Sequence, residues 1–64
     1  MLEALIKKLE GDIAVAKANI AVYLNQSVGI GEHIDIVETI EKEVEKMAAA
    51  DEKIETIKKY FDGV

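Results

Sequence analysis

Residues 2–25, LEALIKKLEGDIAVAKANIAVYLN, decide the fold. Apolar residues fall at Leu2, Leu5, Ile6, Leu9, Ile13, Ala16, Ile20, Tyr23 and Leu24, and at about 100° per residue they collapse onto one stripe. The spacing predicts one α-helix over about residues 2–25, roughly 36 Å long at about 1.5 Å per residue. Along it Ile6, Ile13 and Ile20 alternate with Leu2, Leu9, Ala16 and Tyr23, the heptad of knobs that pack against another helix. A second signal lies on the opposite side. Ala4, Gly11, Val15, Ala18 and Val22 fall within about 60° of one another, and from Ile13 to Leu24 only Lys17 and Asn19 are clearly polar. A helix that is apolar nearly all round is usually buried on more than one side. Gly11 costs about 1 kcal/mol in mid-helix relative to Ala, which points to a packing reason for it. The alternative reading is alanines and valines scattered over an exposed surface.

The stretch that follows, NQSVGIGEH over residues 25–33, brings Asn, Ser and two glycines together, residues that accept turn conformations cheaply. A loop is expected over 26–33, with Val28 or Ile30 folded back as a plug over the bundle end, or both simply exposed. A second helix is expected over about 34–62. Asp35 followed by Glu38 fits a capping box, Glu32 adds negative charge near the positive helix end, and His33 is an alternative cap. Its seam reads as Val37, Ile40, Val44, Met47, Ala50, Ile54, Ile57 and Phe61, with Lys58 and Lys59 in the last turn and Gly63 just past the end. Glu38 with Lys42 and Glu55 with Lys59 form i, i+4 pairs worth some tenths of a kcal/mol each. The sequence thus predicts an all-α fold, a single domain over residues 1–64 built as an antiparallel, coiled-coil-like two-helix hairpin. Its core sets Leu2, Ile6, Leu9, Ile13, Ile20 and Leu24 against Val37, Ile40, Val44, Met47, Ile54, Ile57 and Phe61.

Composition narrows the rest. The 64 residues carry 13 acidic and 8 basic side chains, a net charge of −5, one His and no Cys, Pro or Trp. Disulfides are therefore excluded, and thiolate or multi-histidine metal sites with them. Half the residues are apolar and a third charged, too hydrophobic for intrinsic disorder and too acidic for an unaided nucleic-acid binder. The longest charge-free stretch, Ala18 to Gly31, contains Asn19, Asn25, Gln26 and Ser27, so no membrane span of about 20 apolar residues is expected. Glu3 early, with Lys7 and Lys8 after Leu5 and Ile6, has the wrong order for a secretory signal, and a cytoplasmic location is expected.

A chain this short buries little surface, and a hairpin has one contact face. The second apolar face of the first helix therefore predicts self-association into a four-helix bundle. Ala4, Gly11, Val15, Ala18 and Val22 form the oligomer interface, and the second helix, richer in Glu and Lys, lies outside. A dimer is favoured over a tetramer, and the helix period fits parallel and antiparallel pairing of protomers equally.

Candidate chemistry is thin. His33 lies beside Glu32 and Asp35, but adjacent residues at a helix start diverge and no second His stands at metal-ligand spacing; a capping or surface role accounts for it. Glu38, Glu41 and Glu45 share a helical face, yet carboxylate-bridged metal bundles need a Glu-x-x-His unit that is missing. Val28-Gly29-Ile30-Gly31 lacks the Lys-Ser/Thr or third glycine of a phosphate loop, and Glu32 would repel the phosphate. Ser27 has no partner for nucleophilic catalysis. No catalytic, metal or cofactor-binding residue is expected, and no cofactor. Asp51 interrupts the second helix's stripe between Met47 and Ile54. Either it points to solvent at the edge of the seam, or it pairs across an interface, with Lys17, and sets register.

Through AVYLNQSVGIGEHIDIVETIEKEVEKM and on through ADEKIETIKKYF, the chain resembles short uncharacterised proteins of marine tailed phages and ocean metagenomes. The resemblance covers residues 18–61, with Val28 to Asp35 as its most recognisable part; many of those proteins have Pro where Ile34 stands, suited to a helix's first turn. It implies a phage-encoded accessory protein in the bacterial host cytoplasm and supplies no activity, cofactor or catalytic residue.

The leading functional expectation is a non-enzymatic structural or interaction module that associates with itself. The alternative is an acidic inhibitor or nucleic-acid mimic presenting Glu38, Glu41, Glu45, Glu52 and Glu55 to a basic partner. Nucleic acid and membrane are not expected partners, the latter because the charge is negative and lysines are scarce. A core of Ile, Leu and Val leaves no evident cleft for an enzyme.

Overall fold

Two helices run over nearly the whole chain: α1 from Leu2 to Gln26 and α2 from His33 to Phe61. The structure is a computed structural model that describes residues 1–26 and 33–62, the side chains of residues 26, 33 and 34 excepted. The expected loop residues Ser27 to Glu32, with the proposed plug at Val28 and Ile30, lie outside the described residues, as do the His33 side chain and Gly63. The helices pack against each other as a hairpin of 50 × 14 × 11 Å. Among the described residues there is no strand.

The α1 seam is the expected one. Leu2, Ile6, Ile13, Ile20 and Tyr23 are half-buried, and Leu9 and Ala16 are buried. These positions alternate steps of four and three, which keeps one face of a helix turned to its neighbour along its full length. Leu24, expected in the core, is more than half exposed; Tyr23 ends the seam instead.

The α2 seam departs from expectation at its N-terminal half. Val37 and Val44 keep 62% and 49% of their surface in solvent. The residues turned toward α1 are Ile36, Ile40, Glu43, Met47, Ala50, Ile54 and Ile57, with Phe61, itself half-exposed, beside Leu2 and Ile6 at the end. The reason is periodic. A seam through Val44, Met47 and Ala50 takes two consecutive steps of three and drifts off the partner, whereas Ile36, Ile40, Glu43, Met47, Ala50, Ile54, Ile57 and Phe61 alternate four and three throughout. An unbroken heptad wins, although it turns a carboxylate inward.

Local details also differ. Asp35 lies within the first turn of α2 rather than capping it, where its charge still faces the positive helix end. The Thr39 hydroxyl donates to the Asp35 carbonyl at 2.7 Å, and the Thr56 hydroxyl to the Glu52 carbonyl at 2.9 Å. Among the described residues the ion pairs are Lys8 with Asp12 and Lys46 with Glu43, each at 2.8 Å. The expected Glu38–Lys42 and Glu55–Lys59 pairs do not close to that distance, as suits fully solvated side chains held together weakly. Asp51 is exposed, as a residue at the edge of the seam is, and makes no ion pair with Lys17 within the hairpin.

Candidate interaction surface

Three features could engage a partner: a buried polar cluster, the groove beside it, and the face of α1 turned away from α2. The cluster is built on Glu43, which is buried at the middle of the α2 seam. Asn19 of α1 donates its side-chain Nδ2–H to Glu43 Oε1 at 2.9 Å, and Lys46 Nζ donates to Oε2 at 2.8 Å. Both carboxylate oxygens are thereby occupied, and among the described residues no buried side-chain polar atom lacks a partner. The hydrogen bond from Lys46, followed by that from Asn19, holds the Glu43 carboxyl below its ordinary value of 4.5 against the opposing effect of burial. The same hydrogen bond to Glu43 raises the Lys46 ammonium above 10.5. Each carboxylate oxygen thus has one donor, from a different residue. The cluster serves packing: a buried polar contact is satisfied in one register and broken in every other.

The groove alongside is shallow and open, floored by Leu9, Ala16 and Ala50 and walled by Asp12, Asn19, Lys46 and Lys53. Its alanine floor follows from the close approach of the helices there, since Ala16 and Ala50 are two of the three buried apolar residues among those described, Leu9 being the third. Among the described residues no group of three or more His, Asp or Glu is placed to hold a metal ion. No helix is long and apolar enough to cross a membrane among the same residues.

The outer face of α1 is different in kind. Ala4, Gly11, Val15, Ala18 and Val22, the expected oligomer interface, are all exposed, Val15 by 61% and Val22 by 50%. They lie about 180° around the helix from the seam at about 100° per residue. A Cβ built on Gly11 meets nothing within 4 Å, so no contact inside the hairpin requires a glycine there. The Glu38, Glu41, Glu45, Glu52 and Glu55 side chains are likewise exposed, on α2.

Sequence reading located the α1 faces but not Glu43. Two signals for it stood in the chain: the strict four-three alternation through position 43, and Asn19, a polar residue at the rim of the opposing stripe. No family model, curated protein or solved structure matches the chain.

Proposed function

We propose that the chain is a non-enzymatic structural or protein-interaction module that homo-oligomerises through α1. Two hairpins form a four-helix bundle with the α1 copies central and the α2 copies outside. The observation that carries this reading is the exposure of Val15 and Val22 on a face that α2 cannot reach. Area supports it. A compact protein of 7.0 kDa exposes about 4,000 Å², whereas this chain exposes 5074 Å². The difference, about 1,000 Å², is of the size that each partner buries in a standard interface, about 800 Å².

Charge supports it as well. α1 carries three acidic residues (Glu3, Glu10, Asp12) and three lysines (Lys7, Lys8, Lys17), whereas α2 carries eight acidic residues and five lysines. Copies that meet through the neutral helix keep their acidic helices apart. Within this reading, the resemblance of residues 18–61 to marine phage proteins would make the chain an accessory protein of the bacterial host cytoplasm. The test is sedimentation at low micromolar concentration. The parent should run as a dimer and the V15K/V22K variant as a monomer; a variant of unchanged mass and helicity overturns the reading.

A second reading has its own observation. The five exposed glutamates of α2 present acidic charge outward, as an inhibitor or nucleic-acid mimic aimed at a basic partner would. Salt-sensitive capture of basic host proteins, lost on E38K/E45K/E52K, favours it; capture that survives the charge reversal removes it.

A further inference from the structure

We infer that the α1 helices of two copies pair antiparallel, with Ala18 of one facing Ala18 of the other. The inference rests on the proposed self-association and fixes what that proposal leaves open, the direction in which the second copy lies. Helix period alone fits both directions. The distribution of exposed groups along α1 does not.

Both exposed valines of the outer face, Val15 and Val22, lie beyond Gly11. From Ile13 to Gln26 the one charged residue is Lys17, about 130° away from the centre of that face at about 100° per residue. The earlier part of α1 is charged. Lys7 and Lys8 are exposed and flank the outer face on either side of Ala4 and Gly11 at about 100° per residue. A parallel pair, related by a two-fold axis along the helices, sets every residue level with its own copy. Because such an axis brings opposite flanks together, Lys7 of each copy then lies beside Lys8 of the other, like charge against like; Asp12 offsets Lys8 at 2.8 Å, and Lys7 has no ion pair among the described residues. The helix dipoles also align unfavourably.

An antiparallel pair centred on Ala18 removes each of these costs. The overlap runs from about Gly11 to Asn25, so both lysines fall outside it, and Ala4 of the expected interface falls outside with them. The dipoles oppose.

The chain has no cysteine, so introduced thiols report contacts without background. In the antiparallel pair Gly11 of one copy faces Asn25 of the other, and the two Gly11 residues stand about 21 Å apart along the axis. Both positions are exposed, and a Cβ at Gly11 meets nothing. Under mild oxidation with a short bis-maleimide as a second probe, Ala18→Cys should couple to itself. Gly11→Cys and Asn25→Cys should each fail alone and couple when mixed. Self-coupling of Gly11→Cys without coupling in the mixture overturns the antiparallel direction while leaving the association through α1 intact. A parent of dimeric mass in which none of these thiols couples overturns the interface itself, and a parent of monomeric mass overturns the self-association on which both rest.

Discussion

Asn19 and Glu43, 24 residues apart in the chain, are joined by a 2.9 Å hydrogen bond at the middle of the hairpin. It is a side-chain hydrogen bond that runs from α1 to α2. The other described seam positions, from Leu2 to Ile20 and from Ile36 to Ile57, are apolar, and a slip of one heptad would satisfy them almost as well. The pair therefore selects among alignments that hydrophobic burial leaves close in energy.

That role makes opposite predictions for specificity and stability. Glu43→Leu should raise the melting temperature, since a complete apolar seam replaces a buried charge, and should double resonances in NMR spectra as registers mix. Asn19→Leu alone should lower the melting temperature, because it strips Glu43 of one of two partners. If Glu43→Leu gives a single sharp set of resonances, the pair does not set register.

Acid should weaken the hairpin through the same residue. The Glu43 carboxyl is held below 4.5 in the folded state, so its stabilisation is complete at pH values above the unfolded value and is lost as pH falls through the folded one. Thermal melts between pH 6 and pH 3 should show the parent losing stability below about pH 4.5. Glu43→Gln should flatten that dependence. The paired Lys46, raised above 10.5 by Glu43, acts in the opposite sense: its contribution is full below the unfolded value and is lost at high alkalinity.

Gly11→Ala separates the hairpin from its assembly. Inside one hairpin the new methyl meets nothing, and a helix gains about 1 kcal/mol from the replacement, so hairpin stability should rise by roughly that amount. Where the helices of two copies approach closely, the same methyl should weaken their association. Denaturation at several protein concentrations reads both effects; a rise that is equal at every concentration places Gly11 outside the interface.

Val37→Lys and Val44→Lys test the corrected α2 seam. Both side chains are about half exposed or more, so each substitution should change stability by less than about 0.5 kcal/mol and leave the sedimentation coefficient unaltered. A loss of several degrees in melting temperature for either would return that residue to the core.

The fold was legible because α1 states its period twice, once in the isoleucines at positions 6, 13 and 20 and again in the leucines and alanine between them. The N-terminal half of α2 was not, for a reason of energy rather than pattern. Hydropathy ranks Val37 and Val44 above Glu43, and burial of a carboxylate is excluded by any rule that considers one helix at a time. The cost is met on another helix by Asn19, and one turn away by Lys46, so the assignment of Glu43 needs the partner's sequence read alongside its own. Asp51, the polar residue that interrupts the α2 stripe, stands exposed at the rim of the even heptad, whereas Glu43 is buried within it.

A rod whose Cα trace measures only 14 × 11 Å across keeps its buried positions, Leu9, Ala16, Glu43 and Ala50, along one line of contact between two helices. Opening such a body can begin at either tip and travel inward, turn by turn, without breaching a sealed centre. Deuterium uptake should accordingly be graded, slowest around Ala16, Glu43 and Ala50 and fastest toward Met1 and Tyr60, so that the molecule frays like cord instead of bursting like a droplet.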